Sequence, residues 1–495
     1  MNESTNAATT STEDRPHVGT KIIATLGPAT ASPQRVERLL EAGANVIRIN
    51  FSHGDRGDHQ QMLDAVRQAA DKLGRPVAML GDLCGPKIRL REIEGGEASI
   101  DVGDELRIVA DEVAGNAERV SVNHPEIISD VQIGHRVLID DGTIRLVVTG
   151  RDNDSLVCRC EVGGVLRDHK GVNLPDSDLG ITTITDKDRA DIEWAATREL
   201  DYLALSFVRR AADVIALREI LNDLNAVCQV MAKIETPRAV ADIDAIVEAS
   251  DAVMVARGDL GVEMDVAQVP RIQKDIADRC RRAAKPVVIA TQMLQSMVET
   301  PIPTRAEVSD VANSIVDCAD ALLLSAETAV GRYPFEVVQM LGRIALETET
   351  YDQYRGSSVA IAVGAPGVRG AVARAVSSLA RQMSAAAVAV WTENGELARL
   401  VSKHRLDCPV VAFTPLEATR RRTALYYGMA ATQVEERPGV HERIALISSM
   451  LRSSGCVRPG ELVVIGFSPQ SVEAGDTGLI VIHVVSSDDD ANAGG

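Results

Sequence analysis

Eight short runs of β-branched and other apolar residues recur along the chain, at 21–26, 45–50, 76–82, 202–206, 229–234, 252–256, 286–290 and 321–324. Nearly all are apolar on both faces, as strands covered by helices on each side must be. The first unit shows the pattern. After the run at 21–26, Ser32 and Pro33 supply an N-cap and first helical residue, Val36, Leu39 and Leu40 follow at helical spacing, and Gly43 ends the helix. A helical stretch follows every run except the third, where a long segment intervenes. Eight successive strand–helix units predict a closed (β/α)8 TIM barrel rather than an open doubly wound sheet.

The segment at 87–175 has a different texture. Residues 105–109, 136–140 and 144–148 alternate or are β-rich, with Asp141-Gly142 as a turn, so a small β-barrel lid domain is expected, inserted after the third strand. The barrel is then 20–86 plus 176–351, and 352–486 reads as an open α/β domain with a helix at 368–383 and strands at 386–391, 410–413, 462–466 and 479–484. The polar ends, 1–19 and 487–495, are expected to be disordered tails.

A formal net charge of −19 and an aromatic content of 3% argue against nucleic acid or an anionic membrane as partner. No apolar stretch reaches the roughly 18 residues of a membrane span, and no signal-peptide pattern opens the chain. The eight cysteines lack zinc-ligand spacing. Reduced thiols and a cytoplasmic location are expected.

Barrel chemistry sits where strands end at their C-termini. Those positions hold Arg48 to His53 on the second strand, Asp82 on the third, Ser206 on the fourth, Lys233 and Glu235 on the fifth, Arg257 to Asp259 on the sixth, Thr291 on the seventh and Glu327 on the eighth. A purely structural rim has no reason to place ionisable groups at equivalent depth on so many strands. Glu235 and Asp259, from adjacent strands, suit Mg²⁺ or Mn²⁺. Lys233 and Glu235, two residues apart, point to the same side of an extended segment. A fixed ammonium beside a divalent ion serves a phosphoryl group in transfer or a developing enolate. Arg48 and Arg89 can fork onto phosphate oxygens. Gly258-Asp259 is expected to open a short turn whose backbone N–H groups take a carboxylate. There is no P-loop or protein-kinase signature, so a nucleotide would be held by another route.

Thr20-Lys-Ile-Ile-Ala-Thr-Leu-Gly-Pro-Ala-Thr30, Asn50-Phe-Ser-His-Gly54, Gly85-Pro-Lys-Ile-Arg89, Lys170-Gly-Val-Asn-Leu-Pro175, Ala256-Arg-Gly-Asp-Leu-Gly-Val-Glu263, Ala290-Thr-Gln-Met-Leu-Gln-Ser-Met297 and Pro303-Thr-Arg-Ala-Glu-Val-Ser-Asp310 resemble the motifs of pyruvate kinases, in order. The resemblance implies phosphoryl transfer from phosphoenolpyruvate to ADP, giving ATP and pyruvate, on a barrel with a lid and a C-terminal regulatory domain, in a homotetramer. It implies that Lys233 stabilises the phosphoryl group and enolate, that Glu235 and Asp259 hold the metal, and that Gly258, Asp259 and Thr291 orient the substrate carboxylate. Arg48 and Arg89 would hold phosphate, with Asn50, His53, Arg89 and Lys170 on the nucleotide side. Thr291 with water would orient protonation of the enolate.

Two departures change the expectation. Potassium-dependent relatives carry Asp-Thr-Lys-Gly-Pro-Glu where this chain has Asp82-Leu83-Cys84-Gly85-Pro86-Lys87. Asn50, Ser52 and Asp82 of the monovalent-cation site remain, while Lys87 is expected to act as a tethered substitute that makes K⁺ unnecessary. The effector motif Thr-x-Ser-Gly-x-Ser/Thr-Ala appears as Thr392-Glu-Asn-Gly-Glu-Leu-Ala398, leaving the allosteric effector open. Two other classes compete: a non-catalytic metabolite sensor, which should have lost Lys233, Glu235 or Asp259, and a metal-dependent lyase or aldolase, which gives the lid and Lys170 no role.

Overall fold

The computed structural model describes residues 18–152, 154–351, 367–468 and 478–486. Eight parallel strands close a barrel, Lys21–Thr25, Val46–Asn50, Ala78–Asp82, Tyr202–Leu205, Gln229–Ile234, Ala252–Ala256, Val287–Ala290 and Ala321–Leu324, with the eighth pairing back onto the first. The register sets Thr25 beside Arg48, Asn50 beside Asp82 and Asp82 beside Ala204. Strand periodicity then sorts the side chains. Ile22, Ile47, Met79, Leu203, Val230 and Val253 pack outward against the helices. Ile23, Val46, Ala78, Tyr202, Met231 and Ala252 share a second cluster with the barrel interior. Along the inward parity, apolar residues at the strand beginnings give way to Arg48, Asp82 and Lys233 at the strand ends.

Between the third and fourth strands lie a two-stranded sheet (Glu97–Ile100 with Gly164–Arg167) and a six-stranded sheet. The latter runs Val172–Asn173, Arg136–Ile139, Ile144–Arg151, Ser155–Val162, Glu105–Val109, Arg119–Ser121. The turn expected at Asp141-Gly142 joins Arg136–Ile139 to Ile144–Arg151, with Asp140, Asp141 and Gly142 all at positive φ. Ser155–Val162 is a further strand, not evident in sequence because charges are interspersed among its apolar positions at its exposed end.

The C-terminal sheet has five strands in the order Met429–Gln433, Val410–Thr414, Ala387–Trp391, Leu462–Phe467, Leu479–Val484, the last antiparallel to its neighbour. Met429–Gln433 is an addition to the strands expected there. Its MAATQ sequence carries little β-branched signal. This unit closes the base of the barrel. Ile23, Leu80, Tyr202 and Met254 belong to one apolar cluster with Val372, Val376, Leu425 and Tyr426. Of the tails expected at 1–19 and 487–495, residues 1–17 and 487–495 lie outside the described residues, as does the stretch 352–366. Gly19, assigned to the N-terminal tail, is held: its N–H donates to Glu349 Oε2 at 2.7 Å.

Candidate active site

At the C-terminal rim, Lys233 Nζ sits among three partners. It lies 2.7 Å from Ser206 Oγ, 2.9 Å from Glu235 Oε1 and 3.3 Å from Asp82 Oδ1. Arg48 Nε donates to the other Asp82 oxygen at 2.7 Å and its Nη1 to Thr25 Oγ1 at 3.0 Å. Second, third, fourth and fifth strands are thereby tied at one depth. Burial alone drives the Lys233 ammonium down, but the Asp82 and Glu235 carboxylates overcome it and hold its pKa above the ordinary lysine value. Burial likewise raises Asp82, and Lys233 and Arg48 overcome that and hold it below the usual carboxylate range. Glu235 differs. Burial raises it, Lys233 opposes the rise and the nearby Asp259 charge adds to it. A divalent cation between Glu235 and Asp259 would relieve that repulsion, and two carboxylates are the hard-oxygen donor set that Mg²⁺ accepts. The residues present therefore fit such an ion.

Asp259 stands on a helix, Arg257–Glu263, that follows the sixth strand directly, in place of the expected turn. Arg257 anchors the start of this helix, reaching Asp310 Oδ1 at 2.7 Å and the Thr291 carbonyl at 3.0 Å. The Gly258 N–H, expected to be free for a carboxylate, donates to Thr291 Oγ1 at 2.7 Å, while that hydroxyl donates to the Ala290 carbonyl at 2.6 Å. Thr291 has φ +73°, which a β-branched residue adopts only under constraint, and Phe207, at the end of the fourth strand, has φ +56° with its N–H donating to Glu235 Oε2 at 2.6 Å.

A family model described as "Pyruvate kinase, barrel domain" matches residues 18–338, and one described as "Pyruvate kinase, alpha/beta domain" matches 370–483. The chain belongs to the pyruvate kinase family. It is 42% identical over 471 residues to the pyruvate kinase of Geobacillus stearothermophilus, covering 94% of this chain and 80% of that one. The Bacillus licheniformis pyruvate kinase is 40% identical over 475 residues, with the same coverage. A crystal structure of a pyruvate kinase from Cryptosporidium parvum superposes with a TM-score of 0.89 at 32% identity, covering 94% of this chain and 96% of that one. Like its family, the chain is a phosphotransferase of glycolysis built on a TIM barrel.

Among the residues singled out by sequence, Arg48, Asp82, Lys233 and Glu235 form one contact network, with Asp259, Gly258 and Thr291 on the next two strands' ends. Asn50 and Ser52 are adjacent, the Ser52 N–H donating to Asn50 Oδ1 at 3.1 Å, and His53 is exposed beside them. Arg89 and Lys170 belong instead to the inserted β-domain. Arg89 Nη1 donates to the His169 carbonyl at 2.9 Å and Lys170 pairs with Asp140 at 2.8 Å, so neither reaches the Lys233 network in this conformation. Lys87 lies where the barrel meets that domain, Cε 3.5 Å from the position a Cβ would take on Gly171, and Leu83 is buried. Three groups were not given a role from sequence: Ser206, Lys187 and Glu263. Ser206 shares the inward parity of Asp82 and Lys233, a signal that was available. Lys187, which donates to the Phe51 carbonyl at 2.6 Å from a distant helix, had none. Cys84, Asp188 and Asp191 also cluster, but Asp191 is neutralised by Lys187 at 2.9 Å and by Arg56, and Asp188 caps its own helix, so the group reads as structural.

Proposed function

We propose that this chain transfers the phosphoryl group of phosphoenolpyruvate to ADP, with Mg²⁺ held by Glu235 and Asp259. The observation that carries the reading is the Lys233 ammonium, fixed by Ser206, Glu235 and Asp82 and only 12% exposed, at the barrel rim on the strand that also bears Glu235. The reaction breaks the P–O bond to the enol oxygen and forms one to a terminal oxygen of ADP. Lys233 and Arg48 face the migrating charge from fixed positions, so little reorganisation is needed as it develops. When bound, the divalent ion supplies further charge neutralisation on substrate oxygens. Gly258, Asp259 and Thr291 orient the substrate carboxylate, which requires Thr291 to yield the Gly258 N–H. The enolate then takes a proton at its methylene carbon, with Thr291 ordering the water that delivers it. Asn50, His53, Arg89 and Lys170 receive the nucleotide once the inserted domain, residues 87–175, closes as a lid. The barrel is 20–86 with 176–351, and 352–486 is regulatory. The assembly is a homotetramer, the location is cytoplasmic, and K⁺ is not required.

A coupled assay with phosphoenolpyruvate, ADP and Mg²⁺ tests this. Pyruvate should form at a rate that Asp259→Asn lowers by at least about 10²-fold. Undiminished turnover in a folded Asp259→Asn protein would remove Asp259 from the site, and no pyruvate from the wild type would remove the reading itself.

A further inference from the structure

The helix Arg257–Glu263 is held at both ends by different parts of the molecule. Its first residue is clamped to the barrel through Asp310 and the Thr291 carbonyl. Its last residue, Glu263, is 9% exposed and accepts a hydrogen bond of 2.8 Å from Asn173 Nδ2. Asn173 lies on the short edge strand of the six-stranded sheet of the inserted domain, paired with Leu138. A second contact falls on the same helix: a Cβ on Gly142, in the left-handed turn of that domain, would stand 3.8 Å from Val262 Cγ1. Asp259 sits between the two anchors, one helical turn from Glu263 and on the same face.

Helix stability does not account for Glu263. A carboxylate at a helix C-terminus has the wrong sign for the macrodipole. It is also buried near Asp259 and Glu235, two like charges, with Arg136 the opposing cation, and its pKa is pushed up to about 7. A residue chosen for packing alone would be neutral here. Among the described residues of the inserted domain, the carboxylate's hydrogen-bond partner is Asn173, across the cleft.

We infer that Asn173 and Glu263 form a latch that ties the base of the inserted domain to the helix of Asp259 and so sets the orientation in which Asp259 meets the metal, with Glu263 as a positioning residue. The inference rests on the reading of Glu235 and Asp259 as metal ligands. With the latch made, the helix is fixed at both ends and the Asp259 carboxylate is presented to Glu235 in one orientation. When it is broken, the far end of the helix keeps its apolar contacts but loses its polar anchor, and that orientation is less sharply defined.

The test is Mn²⁺ binding to the full-length protein, followed by the electron paramagnetic resonance signal of free Mn²⁺, without substrates. Asn173→Ala removes no charge and no metal ligand, yet should weaken Mn²⁺ about fivefold or more, and Glu263→Ala should do the same. Glu263→Gln keeps an oxygen acceptor for Asn173 and should bind within about threefold of wild type. In turnover, the two alanine variants should raise the Mg²⁺ concentration for half-maximal rate more than they lower kcat. Mn²⁺ binding at wild-type affinity by Asn173→Ala and Glu263→Ala, while Asp259→Asn binds poorly, would overturn the latch alone. Asp259→Asn binding as tightly as wild type would overturn the metal reading and the latch with it. Should Glu263→Ala fail to fold, the half-exposed Asn173 position decides the question.

Discussion

At the scale of single residues, the site is organised around Asp82. Its two oxygens are already engaged by Arg48 at 2.7 Å and Lys233 at 3.3 Å, so two fixed cations stand beside it. Lys87 adds a further positive charge in a cleft that it lines with Asp259 and Glu263. Charge in a confined, poorly hydrated cleft acts at a distance, so Lys87 need not touch Asp82 to lower the demand for potassium. Wild-type protein should therefore turn over in buffer free of potassium and sodium. Lys87→Glu combined with Leu83→Thr should become potassium-dependent, as measured by initial rates across a KCl series. A wild type that is nearly silent until potassium is added would show that the tethered charge does not replace the ion. The residue types at this site were legible in sequence because inward parity exposes them. Their pairing was not, since nothing local says that Lys233 shares Asp82 with Arg48.

At the scale of elements, the helix Arg257–Glu263 and the helix Glu396–Ser402 carry separate predictions. The pKa of about 7 at Glu263 lies above its unfolded value, so between roughly pH 4.5 and 7 the folded state binds more protons than the unfolded state. Stability contributed by this position therefore falls as pH rises through that window. Glu263→Gln should remove the slope and stabilise the metal-free protein at pH 8 by on the order of 2 kcal/mol while changing little at pH 5. Denaturant melts at the two pH values check this, and equal stability of wild type and variant at pH 8 would contradict it. In the C-terminal unit, Glu396 opens its helix and pairs with Arg369 at 2.8 Å, while the Glu393 carbonyl accepts from Thr419 Oγ1 at 2.6 Å. Arg369 offsets part of the acidic charge there, but Glu393 remains beside it. Fructose 1,6-bisphosphate should activate weakly or not at all, with a nucleotide or sugar monophosphate more effective. A rate titration showing strong activation at micromolar bisphosphate would refute this. Gly twice in seven residues weakens the helical signal around Gly258-Asp259, so the segment resembles a turn in sequence; clamping by Arg257 and Thr291 supplies what propensity lacks.

At the scale of the whole molecule, the C-terminal unit stoppers the base of the barrel with cations as well as apolar side chains. Lys403 Nζ meets Asp320 at 2.5 Å with both side chains almost fully buried, Arg405 donates to the Ala319 carbonyl at 2.7 Å, and Lys21 donates to the Met429 carbonyl at 2.9 Å. Removing one member of such a pair strands the other in a dry interface. Lys403→Met should cost about 3–5 kcal/mol in denaturant unfolding, whereas the same change with Asp320→Asn should cost less. Equal losses in the single and double variants would show that the pair is not coupled. What the sequence determined by itself was orientation. Apolar runs followed by period-3.6 stretches mark strand–helix units, and the polar residues that break those runs at their C-terminal ends place ionisable groups on one rim of a barrel. Only the tertiary structure decided partners: Lys233 with Asp82, Asn173 with Glu263 across 90 positions of chain, Lys403 with Asp320. A local period carries no information about which distant segment arrives opposite, because that is set by the stagger at which the barrel closes and by where its insertions and base come to rest.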